Sequence, residues 1–221
     1  MWCVPAVTDE FKEKMENVLD IYAKPHDSQE PVICMDEKSK QLIADTKPIQ
    51  NTQSGKPRRR DYEYQRNGTR NIFVSVEPKT GYRRVTVTDK RKKIDFAREV
   101  DRVLSLKRYR HATVIHLVLD NLNTHNATSF FETFSKVKAE RMLEKIRFHH
   151  TPKHASWLNM AEVEIGILDR QCIKGRIASE EVLKRKIALW QRSRNKSKMK
   201  INWKFTTKDA RVKFKYGLEL S

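Results

Sequence analysis

The sequence predicts a mixed α/β sheet with helices on its faces, and three observations carry that prediction. Short β-branched and apolar runs stand at Val32–Met35, at 113–119 and in "IRFHHT". A two-strand pattern, "NIFVSVEPKTGYRRVTVTD", follows the first run, with Pro78–Gly81 as its turn. Amphipathic helical stretches separate the later runs. Sequential strands followed by alternating strands and helices imply both antiparallel and parallel pairing, in five strands.

The elements follow in order. Residues 8–23 repeat Phe11, Met15, Val18, Leu19 and Tyr22 at helical spacing, with Thr8 or Asp9 as cap. "AKPHDSQEP" reads as a linker, and Val32–Met35 as a strand ending at Asp36. Residues 45–70 read as a loop punctuated by Pro48, Gly55, Pro57 and Gly68, with Arg58, Arg59 and Arg60 clustered in it. The hairpin follows. Residues 91–108 form a helix with Ile94, Ala97, Val100 or Val103, and Leu104 inward. The strand "TVIHLVLD" ends at Asp120, and a helix at about 127–145 leads to the last strand. "PKHASWLNMAEVEIGILDRQCIKG" is a loop running into a helix. Its inward stripe is Leu158, Ala161, Ile165, Leu168 and Cys172, and Gly175 stops it. A last helix covers about 179–194. The tail interleaves Trp203, Phe205, Phe214 and Tyr216 with basic residues, and Trp157 and Trp203 are read as core before base-stacking platforms.

The chain has 221 residues, 46 Lys and Arg against 28 Asp and Glu, and a net charge of +18. Such an excess points to a polyanion, with nucleic acid first. Cys3, Cys34 and Cys172 are far apart and odd in number, which argues against a disulfide framework or a zinc site and fits a reducing cytoplasm. The N-terminus has no apolar core long enough for a signal peptide, and no transmembrane run appears.

Against that charge, the acids at element ends stand out. Asp36 and Asp120 each close a strand, and strand ends in such sheets gather ligands. Two carboxylates side by side repel unless a cation lies between them. Hard oxygen donors favour Mg²⁺, with Mn²⁺ as substitute. Glu162, in the first turn of the helix after "SWLN", is the best third acid, because the helix dipole favours an ionised carboxylate there. Each acid has a plainer reading. Asp36 can bond its own backbone, with Glu37 as the ligand instead, and Asp120 can close an Asx-turn. Asn159 and Glu162 have capping-box spacing. Glu164 and Asp169 are rivals read as solvated or paired with cations.

Together, "VICMDEKSKQL", "VLDNLNTH" and "HHTPKHASWLNMAEVEI" resemble the three acidic motifs of the mariner-like bacterial insertion-sequence transposases. "DYEYQRNGTRNIF" and "INWKFTTKDA" resemble that family's hairpin and C-terminal segment, so the likeness runs from about residue 2 to 215. The resemblance implies a ribonuclease-H-like fold, cutting of DNA at transposon ends, and joining of the freed 3′-OH to target DNA (at TA sites) with Mg²⁺. It makes Asp36, Asp120 and Glu162 the catalytic and metal-holding triad. Asn121 would support the second Asp, and His125 would face phosphate or cap its loop. Arg58–Arg60 and Lys196, Lys198, Lys200 and Lys204 would neutralise DNA backbone. It further implies a homodimer on DNA in the bacterial cytoplasm.

Two departures accompany the likeness. Forty-one residues lie between Asp120 and Glu162, an unusually long gap that a longer helix before the fifth strand would absorb. The family's N-terminal helix-turn-helix DNA-reading region is missing. The chain therefore divides into an N-terminal helix and linker (1–30), a catalytic domain (31–195) and a basic C-terminal segment (196–221). It resembles a second-frame product that a first-frame helix-turn-helix part would complete, by partnership or fusion. The competing readings are a non-catalytic DNA-binding or regulatory fragment, and a ribonuclease-H-like nuclease without strand transfer.

Overall fold

A computed structural model of the chain describes residues 7–217; Cys3 lies outside them. Five strands form one sheet in the order β3-β2-β1-β4-β5. They are β1 (Val32–Asp45), β2 (Tyr64–Glu77), β3 (Tyr82–Thr88), β4 (Ile115–Leu119) and β5 (Ile146–His150). The pairs β1–β2 and β2–β3 are antiparallel, and β1–β4 and β4–β5 are parallel. This is the mixed five-stranded sheet that the sequence predicts. Among the described residues no helix is long and apolar enough to cross a membrane.

Alternation along the strands builds two cores. Ile33, Met35, Ile115, Leu117 and Leu119 face one side. There they meet α2 (Lys93–Leu104), α3 (Thr128–Phe131) and α4 (Lys136–Glu144). Cys34, Val76 and Val118 face the other side, against α1 (Asp9–Ala23), α5 (Met160–Gln171) and α7 (Thr207–Phe214). A third cluster seats α6 (Glu180–Lys196) and the end of α5 on Leu42, Ile72 and Val74. The N-terminal helix and the C-terminal segment thus pack together on the sheet: Phe11 meets Phe214, and Tyr22 meets Trp203. Trp157 and Trp203 stack on each other within this cluster, as core readings require.

Several boundaries differ from the sequence reading. Strand β1 does not end at Asp36 but continues to Asp45, and β2 begins at Tyr64 inside the expected loop. Together they form a two-stranded ribbon beyond β4, whose polar, exposed composition hid it. The helix expected at 127–145 is broken between Phe131 and Lys136. Ser135 takes an extended conformation there, so that Phe130, Phe134, Ala139 and Met142 can all reach the core. In α2 the inward residues include Phe96, while Ile94 is 40% exposed. Helix α7 lies in the stretch that the sequence reads as a basic tail, and Thr206 and Asp209 make a capping box at its start.

The tail docks on the hairpin turn. Gly81 has φ +72°, and a Cβ there would lie 2.7 Å from the backbone of Lys198 and Met199. Ile201 N donates to Pro78 O at 3.0 Å, and Arg83 donates to Met199 O at 2.6 Å. From 201 to 205 the side chains alternate, Ile201, Trp203 and Phe205 inward, Asn202 and Lys204 outward.

One buried polar chain ties α1 to the sheet. His149 bonds Asn17 of α1 at 2.6 Å and His116 of β4 at 2.9 Å. Burial, with His116, Lys24 and His150 nearby, pushes the His149 pKa down from 6.5 to about 4. The folded state therefore binds fewer protons than the unfolded chain between these values. The stability this group contributes is complete above pH 6.5 and is lost as pH falls toward 4, on the order of 3 kcal/mol. His149→Asn should lose less stability than the wild type over that interval; superimposable Tm-against-pH profiles for the two proteins would refute the assignment.

Candidate active site

Strand register brings the first two acids together. Val32, Ile33 and Cys34 lie opposite His116, Leu117 and Val118. Continued by two residues, that register sets Asp36 opposite Asp120 at the rim. Asp36 shares strand parity with Cys34 and so faces the side that α5 covers, and Asp120 lies just past the end of β4 at the same rim. Glu162 lies in the first turn of α5, on that side.

Helix α5 is anchored at both ends of its first turns. Asn159, fully buried, accepts from Ala161 N at 3.1 Å and donates to Met35 O at 2.9 Å. The helix start is thereby bolted to the strand residue just before Asp36. Tyr22 adds a hydrogen bond to Leu158 O at 2.8 Å. The capping box does not form, because Asn159 N donates to Ser156 O and Glu162 stays half-buried and free. Glu164, read as solvated or paired, is paired and fully buried. It meets Arg83 of β3 at 2.7 Å and Arg194 of α6 at 3.0 Å. Asp169 pairs with Lys38 at the surface.

The acids share one field. Burial pushes the Asp36 pKa up to about 7; the Glu37 amide at 2.7 Å opposes this, and Asp120, Glu37 and Glu162 add to it. Burial first, and the neighbouring acids second, disfavour the charged carboxylate, a cost that a cation would offset. The donors are hard carboxylate oxygens, which suit Mg²⁺ or Mn²⁺. Among the described residues no group of three His, Cys, Asp or Glu already stands close enough to hold an ion together. The carboxylates face a common space without closing on it. Beside Asp120 opens a cleft of about 240 Å³, lined also by Asn121, Thr151, Lys153, His154 and Ser156.

The two residues expected to support the site differ in their contacts. His125 is only 1% exposed, so it does not face phosphate. Its Nδ1 lies 2.5 Å from Asp120 Oδ1, and its Nε2 lies 3.2 Å from Glu37 Oε2. Burial disfavours the charged imidazole, but the two carboxylates outweigh it and raise the pKa to about 9. Asn121 is exposed and makes no side-chain hydrogen bond to Asp120 among the described residues. Glu37 is no alternative ligand, since the pleat turns it to the opposite face.

The expected DNA-contacting cations fall in two places. Arg58 and Arg59 are exposed in the loop at the ribbon's tip. Arg60 is exposed too, but its guanidinium makes a two-point bond to Asp45, at 2.6 and 2.7 Å. Lys196, Lys198, Lys200 and Lys204 are exposed near the other end of β2. At about 3.3 Å per residue, β2 separates the two groups by roughly 45 Å.

The sheet order β3-β2-β1-β4-β5, with acids at the rim of β1, just past β4 and on the covering helix, is that of a ribonuclease-H-like fold. Residues 31–184, more than half of the chain, match the model for the DDE superfamily endonucleases, and the chain belongs to that family. Among solved structures, the Mos1 mariner paired-end complex with Mn is similar at TM-score 0.56 and 14% identity, over 90% of this chain and 60% of that one. The Mos1 paired-end complex with left transposon end gives 0.55 and 14% over 96% and 63%. The Mos1 strand transfer complex gives 0.55 and 13% over 90% and 61%. This likeness is one of fold, and the chain spans about three fifths of the length of those solved chains. No curated protein matches it.

Asn159→Ala removes both a helix cap and a buried bridge. The expected cost is about 1–3 kcal/mol in urea denaturation. An unchanged midpoint would show that α5 is held otherwise.

Proposed function

We propose that this chain is the catalytic part of a DNA transposase. It cuts DNA at element ends and joins the freed 3′-OH to target DNA. One observation supports the reading: Asp36, Asp120 and Glu162 lie near one another at the rim of the sheet in a DDE-family chain of net charge +18. The Mos1 chains it resembles are described with Mn, with transposon-end DNA and in a strand transfer complex, which supports the same partners here.

Asp36, Asp120 and Glu162 are the residues that would hold a divalent cation. Once bound, such an ion lowers the pKa of an attacking water or 3′-OH and stabilises the leaving oxygen. The chain's own side chains do the rest. Asn159 keeps Glu162 above Asp36. Lys153 borders the cleft beside Asp120 and is placed to take a phosphate. Arg58, Arg59 and the lysines from Lys196 to Lys204 bind backbone. They lie too far apart for one phosphate, so they engage separate stretches of duplex. A dimer on DNA completes the proposal.

Asp120→Asn should abolish Mg²⁺- or Mn²⁺-dependent plasmid nicking, by 100-fold or more, while DNA affinity holds or rises. Nicking at the wild-type rate would end the metal-site reading. Pre-cut ends with a free 3′-OH should join target DNA; cleavage without joining would make the chain a nuclease only. No cleavage by the wild type, with DNA binding intact, would make it a binding fragment.

Replacing Lys196, Lys198, Lys200 and Lys204 by Gln should weaken DNA binding and reduce the slope of log affinity against log salt by about 3.6. An unchanged slope would take these lysines off the DNA.

A further inference from the structure

We propose that Glu37 is a positioning residue, which acts through His125 to fix the carboxylate of Asp120. The inference rests on the metal-holding role given to Asp36, Asp120 and Glu162 above. It assigns a function to an acid that the reaction itself does not use.

Adjacent residues of β1 point to opposite faces of the sheet. Asp36 faces α5, and Glu37 faces α2. The Glu37 side chain is 2% exposed, and a buried carboxylate needs a partner. The nearest charged groups are His125 Nε2 at 3.2 Å and Arg91 at 4.0 Å, and Arg91 is largely in solvent. Glu37 Oε2 meets the ring as a charge contact, not as an aligned hydrogen bond. The opposite ring nitrogen of His125 binds Asp120 Oδ1 at 2.5 Å. Glu37, His125 and Asp120 therefore form one line that starts in β1, crosses the loop after β4, and ends at a catalytic carboxylate.

The imidazole cannot turn freely. Phe96 packs on it at 4.6 Å between ring centroids, and His150 Nε2 donates to the His125 carbonyl at 2.7 Å. The ring is 1% exposed, so no solvent path lets it swing out. Its fixed plane sets where Asp120 Oδ1 sits. Oδ2 has no hydrogen bond within the protein among the described residues, and it remains for a cation. Groups that orient a ligand in this way are typically worth 10–100-fold in metal affinity. The arrangement also divides the labour between neighbours in sequence: Asp36 serves the site directly, and Glu37 serves it from behind.

The test is Mn²⁺ binding to the full chain without DNA, by titration calorimetry, on wild type, Asp36→Asn, Glu37→Ala and Glu37→Gln. Thermal unfolding of each reports folding. Glu37→Ala should raise the Kd for Mn²⁺ by about 10–100-fold. Glu37→Gln, the same shape with an acceptor but no charge, should recover part of that loss. DNA affinity should stay at the wild-type value for both. Cleavage by both should recover at high Mn²⁺, which a merely unstable protein would not show. A folded Glu37 variant with wild-type Mn²⁺ affinity overturns the proposal. Should Glu37→Ala not fold, Glu37→Gln decides alone, and wild-type affinity there overturns it equally. Weakened binding in Asp36→Asn beside unchanged binding in both Glu37 variants leaves the function standing and removes only the positioning role. No binding by the wild type removes both.

Discussion

The parallel pairing of β1 with β4 is the constraint on which the site depends. Three paired residues, Val32 to Cys34 against His116 to Val118, set the register that carries Asp36 and Asp120 to facing places on the rim. A slip of one residue would turn either acid to the wrong face. The slip is prevented by burial on both sides of the strands. Ile33, Met35, Leu117 and Leu119 are locked under α2 and α3, and Cys34 and Val118 under α1 and α5. Like-charge repulsion at the rim is thus held in place by apolar packing a few ångströms below it.

The third acid depends on different physics. Glu162 stands on a helix, whose place over the sheet is set by polar bridges as well as by its apolar stripe. Asn159 ties its start to β1, and Glu164 ties its next turn to β3 and α6 through two arginines. A buried ion group of this kind adds little net stability over an apolar replacement, but loss of one member costs about 3–5 kcal/mol. Through it α5 is joined to β3 and to α6. The docking of the tail on Gly81, and of α1 on α7, closes the same face around that helix.

Charge is distributed in two layers. Cations spread over the loop tip, α6 and the tail, where water screens them and phosphates can reach them. Acids are drawn inward, and Asp36, Glu37 and Glu164 are all shielded from solvent. A strongly basic surface and an acidic interior at one rim coexist because the buried acids are partnered: Glu37 by His125, and Glu164 by arginines.

Much of this was legible in the residues. The period of two in 115–119 and the period of 3.6 in 9–23 follow directly from which side chains must leave water, so strands and helices were found where packing is one-sided. The helix-to-strand order by itself determined the mixed sheet, and the motifs around Asp36, Asp120 and Glu162 determined the family. Where a segment is polar on both faces, as in the β1–β2 ribbon, backbone pairing with a distant strand decides, and no local pattern records it. The contacts of His125 and Glu37 are set only by tertiary structure. Their meaning lies in which buried groups meet across the sheet rim, and a pairing between residues 37, 120 and 125 exists only once β1 and β4 lie side by side.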